Sequence, residues 1–434
     1  MLAGVYPQGG NARIDAVVQP PSTEPRSDAS ERAIARGAPA VSVLIPVWNA
    51  ERSIGRALAS VLEEQPASIE VIVVDDGSTD GTVEVVRGVA RRDPRVVLLP
   101  LGSNEGVSAA RNRGLDLVRG EWLTLLDADD RFLPGGFGRL VGTALGSDAL
   151  AVVGQQVWSD GERTWTHALY DIPDIRRPGR TSLAARPGLL YFVSPHAKVF
   201  HRSCYEGLRF SGRVLGDQPW IIRALLRAGD RIEVVGDTVY EWSRPASGPG
   251  SITSRTRSSA RRGVEAAAVA IEALASVRDE ARHGLDEEAQ EAVLTRYVER
   301  LLRSDLAMHL RGALRRGDPT IHELIQAIEA FVTSTPARLI AGSDALARDI
   351  LEPPLGRWFR VDRAGRDAYW RLFATALRMD PAVTSRMRGW PARLMLGIVR
   401  RWPNGTGRKI ADVLLIPAGV ATLAMALARR LRPR

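Results

Sequence analysis

Apolar residues fall in two rhythms along this chain. Between positions 41 and 130, short unbroken apolar runs alternate with amphipathic stretches. "VSVLIPV" (41–47), "IEVIVVDD" (69–76), "RVVLLP" (95–100) and "EWLTLLDADD" (121–130) are too short for helices and show no polar alternation. They read as strands buried on both faces. Between them, "NAERSIGRALASVLEEQ" places Ile54, Leu58, Val61 and Leu62 on one helical face, and "TVEVVRGVARRD" and "GVSAARNRGLDLV" are also helical. The order β-α-β-α-β-α-β with short links predicts an α/β fold: a doubly wound, mostly parallel sheet with right-handed crossovers. Ligands of such sheets bind beyond the carboxyl ends of the strands.

The remainder divides by pattern. Residues 1–40 are rich in Pro, Gly, Ser and Arg, and cannot bury enough surface to offset ordering entropy, so a disordered leader is expected. Residues 150–255 are less regular. They hold an amphipathic helix in "GRVLGDQPWIIRALLRAG", with Ile221, Ile222, Leu225 and Leu226 inward, then strand-like "RIEVVG" and "TVYEW". "SRPASGPGSITSR" has the composition of a mobile loop. From about Arg257 the periodicity is helical. The expected domains are the leader at 1–40, an α/β domain at 41–255 and an α-helical domain at 256–434.

Composition narrows the classes. The 434 residues carry a net charge of +9 and a pI near 10.3, almost all of it from arginine; the only lysines are Lys198 and Lys409. No compact basic run with interleaved aromatics and no zinc-finger or RNA-binding signature is present, so no nucleic-acid partner is expected. A basic surface also suits phosphorylated substrates or an anionic membrane face. The single cysteine, Cys204, excludes an internal disulfide framework and a cysteine zinc cluster. No signal-peptide pattern opens the chain, and the longest uncharged stretch, Val413 to Ala428, is shorter than the ~20 residues of a spanning helix. The expected location is cytoplasmic, with the inner face of the cell membrane open as a contact.

Chemistry gathers at the predicted strand ends. In "VIVVDDGSTDGT" two carboxylates close a buried strand. Gly77 lets the chain turn, and Ser78, Thr79 or Asp80 can cap the next helix. That accounts for the turn but not for the adjacent Asp75 and Asp76, either of which could accept from a base imide. In "NEGVSAARNRG", Asn104 and Gly106 precede a helix whose N-terminus favours anions, and Arg111 could reach a diphosphate. A solvated arginine is the commoner fate. In "LLDADD", acids at i and i+2 after a strand can face one hard cation, Mg²⁺ or Mn²⁺, or can simply shape a turn. In "LGDQPW", Asp217 precedes a helix and is either its N-cap or a carboxylate base.

Taken together, "VSVLIPVWN", "VIVVDDGSTDGT", "NEGVSAARNRG", "LTLLDADD" and "LGDQPW" resemble the family 2 glycosyltransferases of GT-A fold, over about residues 41–255. "YEWSRPASGPGSIT" also looks like bacterial members that glycosylate cell-surface polymers, such as the teichoic acid glycosyltransferases. The resemblance implies a nucleotide-diphosphate sugar donor, UDP-linked by preference, and a glycan or polyol-phosphate polymer as acceptor. It implies Pro46, Val47 and Glu51 around the base and Asp76 on the uracil imide. Asn104 and Arg111 would hold the nucleotide, and Asp127 and Ala128 would lie at the ribose. Asp129 would ligate Mn²⁺ or Mg²⁺. Asp217 would be the catalytic base of a single inverting displacement. "SGPGSIT" would close over the phosphates. His196 and His201 are candidates for a further metal ligand, with structural roles expected for both.

Two rivals stand against this. A dehydrogenase lacks its G-x-G-x-x-G after the first strand, and a nucleotidyltransferase lacks its Gly- and Lys/Arg-rich loop there. A catalytically degenerate nucleotide-binding scaffold is disfavoured by Asp76, Asp129 and Asp217 standing together. The helical tail could self-associate, complete an acceptor groove or touch a membrane. "GWPARLMLGIVRRW" and "LARRLRPR" mix arginine with apolar residues as interfacial helices do, although charged helical faces are more often solvent faces.

Overall fold

The structure, a computed structural model, describes residues 38–64, 68–166, 171–212, 215–244, 259–355, 357, 361–380 and 382–387. Most of the expected leader, the "SGPGSIT" segment and the Arg- and Trp-rich stretches after position 387 lie outside the described residues. Two compact units emerge. One takes the described residues within Thr23–Arg257 together with Glu265–Leu301. The other takes those within Ser258–Val264 and Leu302–Arg434.

The first unit is the expected α/β fold. Strands β1 (Val41–Val47), β2 (Ile69–Asp75), β3 (Val96–Pro100) and β4 (Trp122–Leu125) alternate with helices α1 (Ile54–Leu62), α2 (Thr82–Ala90) and α3 (Val107–Leu115). β1 and β2 are buried along their whole length, as their unbroken apolar runs require. The order β3-β2-β1-β4 is parallel throughout.

Next to β4 the sheet changes direction. β9 (Lys198–His201) runs antiparallel to both β4 and β6 (Ala151–Ser159). β10 (Ile232–Ser243) then pairs parallel with β6, and β5 (Arg131–Phe132) closes the path antiparallel to β10. The short strands β7 (Thr164–Trp165) and β8 (Gly179–Thr181) pair with β6 and β10. Because β9 is reversed, its beginning lies at the edge where the parallel strands end. The expected strands "RIEVVG" and "TVYEW" are one strand. Its register on β6 shifts between Val234 and Tyr240, where Gly236, Asp237 and Thr238 bulge out exposed.

Helix α4 (Gly136–Gly146) covers β6 and β10, and α5 (Gln218–Ala228) buries Ile221, Ile222, Leu225 and Leu226 as its pattern predicts. Helix α6 (Ala260–Gly284) fastens to α5 through Glu280, which accepts from Arg223 Nε and Arg227 Nε at 2.8 Å each. Helix α7 (Glu287–Arg300), N-capped by Asp286, packs against the turn at Pro187–Tyr191. The second unit is helical, built around α8 (Ala307–Arg316), α9 (Ile321–Ser334) and α10 (Arg363–Met379). No helix among the described residues is long and apolar enough to cross a membrane.

Behind the sheet, Gly120 donates to Ser42 Oγ so tightly that a Cβ there would stand 2.6 Å from the Ser42 nitrogen. Backbone cannot yield as a side-chain tip can. Gly120→Ala is therefore expected to lower unfolding free energy by about 2 kcal/mol, read by urea denaturation.

Candidate active site

The turn after β2 is built from its own acids. Asp75 Oδ2 accepts from the Ser78 N–H at 3.1 Å, and Asp80 Oδ1 accepts from the Thr82 N–H at 3.1 Å. Gly77 has φ +72°, and a Cβ there would lie 2.8 Å from the Ser103 carbonyl carbon, so only glycine fits. Asn49, after β1, adopts φ 48°, which an asparagine tolerates. Its Oδ1 accepts from the Thr79 N–H at 2.8 Å while its own N–H donates to Ser78 Oγ at 2.9 Å. The ends of β1 and β2 thus hold each other.

Several expected nucleotide residues are part of this scaffold. Pro46 and Val47 are buried at the end of β1. Glu51 accepts from the Gly81 N–H at 3.2 Å. Asp76 accepts from the Glu105 N–H at 2.8 Å and the Gly106 N–H at 2.9 Å, so it fixes the approach to α3. Asn104 stands exposed on that approach. The Asp75 Oδ1 oxygen is buried with no hydrogen-bond partner among the described residues.

Arg111 is not on a solvated face. It is 5% exposed, donates to Asp127 Oδ1 at 3.0 Å and lies over the Phe210 ring at 5.3 Å. On the other side of Asp127, His196 Nε2 lies 2.7 Å from Oδ2. The ladder of Trp122 with His201 and Thr124 with Val199 brings the end of β4 beside the start of β9; Asp127 and His196 lie just past those strand ends, with Ala197 between His196 and β9 at φ 55°. Burial works to raise the Asp127 pKa, but the charges of His196 and Arg111 outweigh it and hold the carboxyl well below the usual range.

Asp130 and Asp129 part company. Asp130 is fully buried; it accepts from the Ser243 N–H at 2.8 Å and the Tyr240 O–H at 2.9 Å, which ties the turn to β10. It therefore shapes the turn, one of the two roles the "LLDADD" acids allow. Burial, then the neighbouring charges of Asp129 and Asp127, push its pKa well up. Arg56 clamps the same turn, donating to the Asp129 carbonyl at 3.0 Å and to Ser243 Oγ at 2.7 Å. Asp129 is half-buried, beside the buried Ala128, and among the described residues no side chain donates to its carboxylate. Burial and then the Asp127 charge raise it to about 6.

These acids suit a divalent cation. One oxygen each of Asp127 and Asp130 and a ring nitrogen of His196 lie within 4.8 Å of one another, a hard oxygen-rich set with one imidazole. Within that set Asp130 has already committed both oxygens to Tyr240 and Ser243. Asp129 lies outside that set; the charges of His196 and Arg56 offset its burial and the Asp127 charge only in part.

Asp217 sits at the start of α5 without capping it: its backbone is helical and its side chain makes no cap hydrogen bond, so the N-cap alternative fails. The loop before it is held by α3. Ser108 Oγ donates to the Gly212 carbonyl at 2.7 Å, and Asn112 exchanges two hydrogen bonds with the Phe210 backbone. Lys198 is 1% exposed, lies over the Phe192 ring at 3.4 Å and donates to the Ser194 carbonyl at 2.8 Å. Burial drives its pKa far down, against the pull of the Asp217 charge. His201, by contrast, caps the turn at Arg202–Tyr205 and meets Glu121, a structural role as expected.

Residues 42–209 match the model of Glycosyl transferase family 2. This stretch of the chain is a family 2 glycosyltransferase domain. Succinoglycan biosynthesis protein ExoO of Rhizobium meliloti is 31% identical over 212 residues, 46% of this chain and 60% of that protein. The putative teichuronic acid biosynthesis glycosyltransferase TuaG of Bacillus subtilis is 37% identical over 94 residues, 22% of this chain and 37% of that protein. An uncharacterized glycosyltransferase of Haemophilus influenzae is 40% identical over 92 residues, 21% of this chain and 37% of that protein. The chain therefore spans less than two thirds of the length of these relatives. The crystal structure of S. aureus TarS 1-349 in complex with UDP-GlcNAc shares the fold, with a TM-score of 0.60 at 19% identity over 80% of this chain and 92% of that one.

A carboxyl raised in the folded state favours folding while protonated and opposes it once ionised. In metal-free protein the Asp129 penalty should set in above pH 4 and be complete above about 6. At about 1.4 kcal/mol per pKa unit it reaches about 3 kcal/mol. In chelator at pH 7.5, Asp129→Asn should be the more stable by that amount, and at pH 4 the difference should vanish. Denaturant melts at the two pH values read this directly.

Proposed function

We propose that this protein is an inverting glycosyltransferase that uses a divalent cation, Mn²⁺ or Mg²⁺. It moves a sugar from a UDP-linked donor to a hydroxyl of a bacterial cell-surface polymer. The observation that carries this reading is Asp129: a carboxylate lacking a side-chain donor, crowded by Asp127, at the ligand edge of a family 2 domain. A cation there relieves the crowding that raises Asp129. Asp129 would hold it, with Asp127 alongside. When bound, such an ion neutralises charge on the departing diphosphate. The polymer acceptor is supported by the similarity to ExoO and TuaG, proteins named for succinoglycan and teichuronic acid biosynthesis, and the uridine donor by the UDP-GlcNAc complex of TarS.

This chain's own groups supply the rest. Asp127, kept ionised between Arg111 and His196, accepts hydrogen bonds from a ribose or sugar hydroxyl. Asp76 keeps one lone pair on each oxygen for a base imide while pinning the loop that carries Asn104. The N-terminus of α3 faces anions from the same loop. Asp217 takes the proton of the acceptor hydroxyl as that oxygen attacks the anomeric carbon. The anomeric bond to the nucleotide breaks in the same displacement, which inverts the centre. The second unit offers a surface for self-association or a membrane face.

A thermal-shift screen of nucleotide sugars with Mn²⁺ should show stabilisation by a UDP-sugar, lost in chelator. Asp217→Asn should retain that shift and lose transfer by about 10²-fold or more. Unchanged turnover would remove Asp217 from the reaction.

A further inference from the structure

Beside the carboxylates the sheet carries a row of aromatic rings that the transfer chemistry leaves unused. In the register of β6 and β10, Tyr240 lies beside Gln156 and Trp242 beside Trp158, so these side chains share one face. The row begins at the site, where His196 stacks on Tyr240 at 5.1 Å and meets Trp242 at 6.1 Å. It continues through Trp242–Trp158 at 5.3 Å and Trp158–Trp165 at 6.2 Å. It ends on β7, where Trp165 is 38% exposed.

Two buried polar atoms adjoin the row without partners. Gln156 is 3% exposed; its Oε1 accepts from Ser194 Oγ at 3.3 Å, and its Nε2 donates to nothing among the described residues. His196 Nδ1 is in the same condition. Buried hydrogen-bonding groups are normally satisfied, so unpaired ones beside a binding site point to a ligand. A ligand that meets both features has an apolar face for the indoles and hydroxyls for the amide and imidazole. A pyranose ring has this form: its axial C–H bonds lie against the electron-rich face of an aromatic ring, and its hydroxyls project from the edge.

We propose that Trp165 and the half-buried Trp242, spaced by the buried Trp158 between them, form a track that holds the acceptor as a chain of pyranose rings. Gln156 and His196 take hydroxyls of the ring nearest the reaction. This deepens the glycosyltransferase reading and rests on it for the name acceptor. It selects a glycan over a polyol phosphate. A polyanion would need cations along the track, and the cation described against these rings, Arg244, is already stacked on Trp158 at 4.6 Å. The ends of β1 and β2 are left for the nucleotide.

Saturation-transfer NMR on the full chain tests this, with the methyl pyranosides of glucose, galactose, mannose and N-acetylglucosamine as probes and sn-glycerol 3-phosphate as the polyol comparison. At least one pyranoside should receive saturation at its ring C–H protons, and glycerol phosphate should receive none. Trp165→Ala should weaken the signal about fivefold or more, the scale of one interface anchor, and Trp165→Phe should restore most of it. No transfer to any pyranoside, transfer to glycerol phosphate alone, or a signal unchanged in Trp165→Ala overturns the track. A UDP titration of the wild-type chain is the separate readout: failure there contradicts the donor reading while the pyranoside result still decides the track.

Discussion

The double pairing of Asp127 is the contact on which the site depends. Three carboxylates within four residues at the end of a buried strand would repel one another and resist burial. Arg111 from α3 and His196 from the approach to β9 neutralise the first. Tyr240 and the Ser243 N–H absorb the third. What remains is one acid, Asp129, which His196 and Arg56 compensate only in part, at the edge where α/β sheets bind ligands. A site prepared for a cation follows from that unequal treatment more than from the number of acids.

The same pairing ties the two halves of the sheet together. Arg111 belongs to the parallel half and His196 to the approach to the reversed strand, so a single carboxylate joins the β1–β4 side to the β6–β10 side. The loop bearing Asp217 is held to α3 by Ser108 and Asn112, and the turn bearing Asp129 is clamped to α1 by Arg56. The groups assigned to base, cation and sugar are thereby carried on rigid elements, which positional catalysis requires.

Much of this was legible in the sequence. Unbroken apolar runs can be buried only as central strands, so the four parallel strands, their helices and the acids at their ends follow from pattern alone. Strand pairing was not legible. His196 reaches Asp127 because β9 runs antiparallel and so begins beside the end of β4, and nothing local announces that direction or the left-handed Ala197 that precedes β9. Arg111 was expected on the nucleotide, with a solvated face as the commoner alternative; its pairing with Asp127 was not legible because burial of a guanidinium depends on a distant partner. One signal for Lys198 was available: in a chain whose cations are almost all arginine, a lysine is an outlier. The aromatic row was hidden for the same reason as His196, since Trp158, Trp165 and Trp242 meet only through strand register.

Titration of Mn²⁺ by electron paramagnetic resonance, with UDP saturating, tests the central claim most directly when wild type, Asp129→Asn and Asp130→Asn are compared. The account predicts that Asp129→Asn loses Mn²⁺ binding while Asp130→Asn, its hydrogen bonds to β10 largely kept, retains it. Binding retained in Asp129→Asn and lost in Asp130→Asn would contradict it.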